Sequence, residues 1–585
     1  AIFEPENTKK PDLEISGSTQ YVGVAPYGIK YFSELFTRRQ LFALNTLCDL
    51  VKNVKQQVIS DGEKIMMEDD GIPLDKGGDK LTAYSDAIMI YCSLVISKLS
   101  DSLNTLCPWE PVAECSRQLF NRQAISMAWE FAEGNVIGHS SGSFLANLKV
   151  LTRSFTSFPK STPIPSGIAI NCDAVTQKIS QNKVISTDPP YYDNVPYADL
   201  SDFFYVWLRL CLKEVIPSLF LTIGTPKIEE LVAFSYRHKD KSEASRFFME
   251  GMTKAMSSIS RLGHPSFPLT IYYAFKQSVT DEGNTISEGW EVFLEAVIRA
   301  GFSITGTWPI RTELNAALKT KLNTLASSIV LVCNKKDRNE GVTSRIKFRR
   351  ELKDEMPLAL ENMIGGGGGI SPIAPVDLAQ AAIGPGMALF SKYKAVLEAN
   401  GTPMSIHNAL ILINKTIDEY FTEAEGEMDP DTRFCIDWFQ QYGFKEGLFG
   451  EADVLARAKG TSVDGMQEAG VLSAKGGKVC LYKISEYPDN WNPQADKRTS
   501  VWEGCHHMCK ALEISETKAG ELLAKMPEKI ETIRQLAYRL YTLCERKGWL
   551  ENAVLYNGLI TCWHSILEES HKVGHYRKQK MLFDM

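Results

Sequence analysis

Asp188-Pro189-Pro190-Tyr191 directly follows the short run Val184 to Thr187, and KVISTDPPYYDN reads as a strand that ends in a loop. The carboxyl end of a parallel strand is where open α/β sheets place their ligands. These residue types suit chemistry at an exocyclic amino group, whose lone pair is delocalised into a purine or pyrimidine ring and is a poor nucleophile. The Asp188 carboxylate and the Pro189 carbonyl, held by two successive rings, would accept both amino hydrogens and favour a pyramidal nitrogen aimed at an electrophilic methyl. The gain is orientation plus electrostatics. Tyr191 offers a face for a base drawn out of its helix, a contact worth about 1–3 kcal/mol. Tyr192, Asp193 and Asn194 extend the pattern. The plain alternative is a proline-stiffened turn with a capping aspartate.

Such a loop needs a sheet behind it. From Gly167 the apolar period changes, because GIAINCDAV and KVISTDPPYYDN give short strand-like runs, each ending in an acidic residue. LTIYYAF (269–275), FSITGTW (302–308) and SSIVLVC (327–333) are further strand candidates, with a helix over 290–300 between the first two. That alternation predicts an α/β domain over 161–335. Residues 1–160 read as mainly helical, with possible DNA contacts. Thr37 and Gln40 form a capping-box pair ahead of a periodic run, and further helices fit 80–99 and 112–133. Residues 336–400 are charged and carry the five glycines Gly365 to Gly369, so they read as a linker followed by a helix over 387–400. Residues 401–585 form a C-terminal helical domain, with helices over 405–425, 431–442, 451–459, 499–513, 517–525 and 530–547.

Composition bounds these readings. The chain has 585 residues, 44% of them hydrophobic and 23% charged, which excludes collagen, bulk disorder and membrane bundles. No apolar run is long enough for a bilayer span, and the first thirty residues lack a signal pattern, so the expected location is cytoplasmic. A formal charge of −7 argues against a strongly basic coat but leaves room for a local basic groove. The thirteen cysteines are irregularly spaced and read as reduced core thiols. Cys505-His506-His507-Met508-Cys509 falls within an amphipathic helix without a second ligand pair, so no metal is expected.

The loop resembles motif IV of the amino-methyltransferases, which transfer methyl from S-adenosylmethionine to adenine N6 or cytosine N4. The run DPPYYDNVPYADLSDFFYVWLR, Asp188 to Arg209, more closely resembles the large bacterial and archaeal adenine-specific DNA methylases that carry an N-terminal domain of unknown function. LFTRRQLFAL (35–44), FNRQAISMAWEFAE (120–133), TPKIEELVA (225–233), ASSIVLVC (326–333), YGFKEGLFGEADVLARAKGTSVDG (442–465) and LAYRLYTLCERKGW (536–549) are similar too, so the resemblance covers essentially the whole chain. It implies a Rossmann-like class I methyltransferase core between helical domains, with its last two strands antiparallel. S-adenosylmethionine would be the cofactor and DNA the partner. Methyl transfer to a flipped adenine would be direct, with Asp188, Pro189, Pro190 and Tyr191 as catalytic residues.

Asn171-Cys172-Asp173-Ala174 resembles the family's acidic turn beside the cofactor adenine, which assigns Asp173 and Ala174 to cofactor binding; a plain strand-ending aspartate is the alternative. Tyr192, Asn194, Lys227 and Arg237 are the candidate substrate contacts, the last two in a basic segment (221–248) suited to phosphates. A solvated charged loop is the other reading there. The adjacent aromatic set Phe203, Phe204, Tyr205 and Trp207 reads as core packing.

The family's strand and acidic-Pro-Phe-x-Gly-x-Gly turn has no counterpart in the sequence. Gly365 to Gly369 and Gly384-Pro385-Gly386 read as linker or cap glycines. Together with the opening Ala1, this leads us to expect the C-terminal portion of a longer enzyme, whose N-terminal portion or a companion subunit supplies the glycine turn. The rivals are a cytosine N4 or RNA adenine methyltransferase, a protein-glutamine methyltransferase (whose loop usually begins with Asn), and a non-catalytic DNA-binding or scaffolding subunit.

Overall fold

The computed structural model describes residues 11–140, 142–156, 167–273, 288–311, 327–336, 341–365 and 373–583. By its internal contacts the chain forms two units, Ala1–Asn171 with Pro190–Phe248, and Cys172–Pro189 with Met249–Met585.

The first unit is built around helices α1 (Arg38–Lys64) and α2 (Leu81–Ser102), with α3 (Phe144–Thr156) and α4 (Tyr197–Leu212) packed on α2. The Thr37 hydroxyl accepts from the Gln40 N–H, and the Gln40 side chain accepts in return from the Thr37 N–H. This is the expected capping box, and it satisfies two N–H groups that the helix leaves over. Leu41, Leu44, Cys48 and Val51 give α1 its buried stripe. Phe203 and Trp207, one turn apart on α4, meet Phe36 with ring centroids at 5.8 and 5.2 Å.

The helix expected over 112–133 is absent. Its place is taken by a short hairpin, β1 (Trp109–Glu110) with β2 (Cys115–Ser116), one 3-10 turn, and non-helical chain. The apolar residues do not share a side, since Leu119 and Ile125 are buried while Val112 and Trp129 are exposed. The backbone of Ile125 instead exchanges hydrogen bonds with Tyr21 and Gly23, each at 2.8 Å.

The second unit contains a four-stranded sheet of β3 (Ser186–Thr187), β4 (Leu269–Tyr273), β5 (Phe302–Arg311) and β6 (Ser327–Lys335), in the spatial order β3-β4-β6-β5. The first pair is parallel. β6 runs antiparallel to both β4 and β5, so the last two strands pair antiparallel. Helix α5 (Lys241–Leu262) precedes β4, and α6 (Glu288–Arg299) precedes β5. Tyr273 at the end of β4 stacks on Phe293 of α6, with centroids 4.0 Å apart.

Two expectations fail in this region. Gly167 to Val175 is not a strand, and Ile168 and Ile170 are exposed. Period-2 alternation makes a strand only where a neighbour takes up the backbone groups, and among the described residues β3 pairs with β4 alone. Nor do the described residues of 336–400 read as a linker. Helix Arg345–Gly365 buries Phe348, Leu352, Met356, Leu360 and Ile364, one per turn, while its basic side chains pair outward, Arg345 with Glu398 and Lys353 with Glu419.

The next helix is Pro375–Ser391, not 387–400, and Gly384-Pro385-Gly386 lies inside it. Pro385 cannot donate to the Ala381 carbonyl one turn back. Thr307 of β5 does so instead, Oγ1 to O at 2.7 Å. A Cβ on Gly384 would lie 2.2 Å from Thr307, and one on Gly386 2.5 Å from Ile413. These glycines permit close packing. Gly366 to Gly369 lie outside the described residues.

The six helices expected beyond 401 are present with small shifts at their ends, joined by a hairpin (Leu472–Lys475 with Lys478–Leu481) and, among the described residues, three further helices, Val463–Glu468, Leu550–Thr561 and Trp563–Phe583. Among the described residues no helix is long and apolar enough to cross a membrane.

Candidate functional site

The loop begins where β3 ends. Asp188 is exposed and Pro189 buried, and these two residues close the second unit's first stretch. Their approach is fixed by neighbours in that unit. Thr270 N–H donates to Ile185 O at 3.2 Å, Thr270 Oγ1 donates to Ser186 Oγ at 3.0 Å, and His264 N–H donates to Lys183 O at 2.9 Å. Asp173 and Ala174 are exposed. The Asp173 carboxylate accepts from Val175 N–H at 3.0 Å and from Thr176 Oγ1 at 3.1 Å, an Asx turn rather than a strand end.

Pro190 opens the first unit's second stretch. Asn194 N–H donates to Tyr191 O at 3.0 Å and closes a turn, while Tyr192 has φ of +51°, the left-handed region that side chains other than glycine enter at a cost. That geometry sends the two tyrosines different ways. Tyr192 is buried with its ring edge-on to Phe248 at 5.2 Å, and its carbonyl accepts from Ala233 N–H at 2.9 Å. Tyr191 stays half-buried and Asn194 exposed. The Tyr192 ring is thus committed to packing and does not present the face that a substrate contact needs. The Tyr21 hydroxyl holds the far end of the turn by donating to Asn194 O.

Helix α4 starts at once and is clamped at its first turn. Glu230 accepts from Ala198 N–H at 2.9 Å, and Thr225 Oγ1 donates to Ala198 O at 2.6 Å. The buried Asp199 carboxylate accepts from Ser16 Oγ and Tyr236 Oη, each at 2.6 Å, and from Arg237 Nη2 at 2.7 Å. Arg237 also reaches Glu230 at 2.6 Å. Burial pushes the Asp199 carboxyl up, but these hydrogen bonds and the Arg237 charge outweigh it and hold the group below its usual range. Burial and the Asp199 carboxylate together push the Tyr236 phenol well up. One turn on, buried Asp202 takes Lys227 Nζ at 2.5 Å and Thr225 N–H at 2.7 Å.

Lys227 and Arg237 are thus each paired with a buried carboxylate, Lys227 with Asp202 and Arg237 with Asp199. The residues that carry this network, Asp199, Asp202, Glu230 and Tyr236, were missed. Their signal is two acids one turn apart on the face of α4 that also carries Phe203, in a helix otherwise apolar on that side.

A cavity of about 650 Å³ opens in the first unit just beyond the loop, lined among others by Phe120, Arg122, Gln123, Val195, Tyr197 and Phe204. It combines three aromatic side chains with a guanidinium and side-chain amides, a composition suited to a planar polar ligand. Phe203 and Trp207 are core as expected, whereas Phe204 faces this cavity.

Residues 429–582 match the model of a family described as a domain of unknown function (DUF8807). No curated protein and no solved structure matches the chain. Within the matched stretch, helix Val501–Ile514 buries Cys505, His506, His507 and Cys509. His506 Nδ1 lies 2.8 Å from Trp502 O and Nε2 lies 3.0 Å from Tyr556 Oη, so both ring nitrogens serve the core. Burial lowers its pKa to about 4. Among the described residues no group of three or more His, Cys, Asp or Glu side chains converges to hold a metal.

Proposed function

We propose that this chain carries the catalytic loop of an S-adenosylmethionine-dependent DNA adenine N6-methyltransferase, and that the sheet β3-β4-β6-β5 is part of a Rossmann-like core. The observation that carries the reading is the position of Asp188-Pro189-Pro190-Tyr191 directly after a strand that runs parallel to its neighbour. The strand order and the antiparallel placement of β6 agree with the resemblance of the loop.

In this reading Asp188 Oδ and the Pro189 carbonyl accept the two amino hydrogens of adenine, and Tyr191 lies against the ring. The nitrogen lone pair then points at the methyl group, and the nitrogen loses its proton during or after transfer. Asp173 and Ala174, next to an exposed turn in the unit that also holds Asp188, would contact the cofactor adenine. Asp199 and Arg237 act by holding the start of α4, and with it the turn that carries Tyr191.

The test is the N6-methyladenine content of DNA from cells that make the chain as they normally do, compared with cells in which it carries Asp188→Ala. We expect methylation to vanish from one sequence context while the variant accumulates to normal levels. An unchanged methylation pattern would refute the reading.

A further inference from the structure

We propose that the domain matched at residues 429–582 holds a binding site for a nucleoside monophosphate, separate from the loop at Asp188. A cavity of about 290 Å³ lies there, walled by the loop Pro488–Asn492 and by two helices, Val501–Ile514 and Glu516–Leu523. That volume is at the small end of ligand pockets, which run from about 300 to 1,000 Å³. It fits one nucleotide and not a strand of nucleic acid.

The cationic wall comes from Lys510, Lys518 and Lys525. Lys510 is engaged, with Asp489 2.9 Å from Nζ and the Tyr487 carbonyl accepting a hydrogen bond. Asp489 also acts on Lys518 at longer range, and the lining as a whole sets the three lysines against two carboxylates, Asp489 and Glu521. A surplus positive charge remains, and a phosphate monoester of charge about −1.5 to −2 at pH 7 supplies its complement.

Another part of the lining suits a planar group. Trp491 Nε1 donates to Asp496 Oδ2 at 2.9 Å, which fixes the indole, and the ring lies on His507 with centroids 4.1 Å apart and planes 2° apart. His507 has only 4% of its side chain exposed, and its Nε2 has no hydrogen-bond partner, the Glu503 carboxylate being 4.0 Å away. The amides of Asn490 and Asn492, both exposed at the rim, offer paired donors and acceptors of the kind that read a base edge. Phosphate on the lysines and base toward Trp491 therefore use both parts of the lining. This site is independent of methyl transfer at Asp188.

Calorimetric titration of the full chain with AMP, adenosine and inorganic phosphate tests it. AMP should bind saturably and at least tenfold more tightly than either part. The double variant Lys518→Gln/Lys525→Gln, whose side chains lie at the cavity wall and not in the core, should weaken AMP at least tenfold with an unchanged melting temperature. Trp491→Leu should weaken AMP and leave inorganic phosphate as before. Asp188→Ala should leave AMP binding intact. Three outcomes would overturn the proposal: no saturable AMP binding up to millimolar concentration, inorganic phosphate binding as tightly as AMP, or AMP binding that survives in the lysine variant and is lost in Asp188→Ala.

Discussion

Arg237 donates to Asp199 at 2.7 Å and to Glu230 at 2.6 Å, so one guanidinium joins the buried first turn of α4 to the carboxylate that caps its Ala198 N–H. Breaking such a pair leaves a buried charge without compensation, which typically costs about 3–5 kcal/mol. Arg237→Met should therefore lower stability by an amount in that range. Arg237→Met combined with Asp199→Asn should cost clearly less than the sum of the two single changes, because the second removes the charge that the first strands. Urea denaturation of the three variants measures the coupling, and additive losses would show that the pair contributes nothing beyond its separate contacts.

Tyr191 and Tyr192 should separate in their effects. Tyr192 is buried against Phe248, so Tyr192→Ala removes core volume and should destabilise by about 3–5 kcal/mol. Half-buried Tyr191 should tolerate truncation with little loss of stability. Under the proposed function, Tyr191→Ala reduces adenine methylation while Tyr191→Phe is nearly silent, since stacking uses the ring and not the hydroxyl. Methylation measured beside melting temperature distinguishes the two positions, and a severe loss in Tyr191→Phe would point to hydrogen bonding by the phenol.

The contrast between these tyrosines also marks how far the sequence could be read. The strand, the loop and the helix after it were legible because alternation, two prolines and an apolar period are local signals. Tyr192 was misread because its fate depends on one left-handed backbone angle that the sequence YYDN does not announce. The pairing of Lys227 and Arg237 was not legible because their partners lie 25 and 38 residues away, and a basic side chain looks alike whether it meets solvent or a buried acid. The 345–365 helix was hidden for the opposite reason, its dense charges masking an apolar residue at every fourth position.

Glu503 gives the C-terminal helices a pH dependence of definite sign. Burial, the first cause, and the neighbouring Asp496 carboxylate raise its pKa to about 8. A carboxyl raised in the folded state contributes stability that is fully present below its unfolded value near 4.5 and is lost as pH rises through 8. His506 and His507, lowered to about 4 and about 3 by burial, act in the other direction and lose their contribution as pH falls from 6.5 toward those values. The difference between Glu503→Gln and wild type largely cancels the histidines. That difference should favour the variant increasingly from pH 5 to pH 9 in thermal unfolding, and a flat difference would mean that Glu503 is ionised without penalty.

Thr307 and Pro385 make the most specific stability claim. Ala381 is buried, and its carbonyl is left over because Pro385 has no N–H to give it; the Thr307 hydroxyl is the replacement donor at 2.7 Å. Thr307→Val keeps the shape and removes the donor, so it should cost about 1–3 kcal/mol, the price of an unsatisfied buried acceptor. Thr307→Ser should recover most of that. In a Pro385→Ala background the helix regains its own N–H donor to Ala381, so Thr307→Val should there cost much less. The double-mutant cycle by urea denaturation isolates this coupling from the general effect of removing a proline, which appears equally with and without Thr307. Gly384→Ala serves as the steric control, because its Cβ would sit 2.2 Å from Thr307 Cγ2 and 2.3 Å from Oγ1, forcing helix and strand apart whatever the hydrogen bonds do. A Thr307→Val cost that is equal in both backgrounds would show that the hydroxyl acts by packing alone.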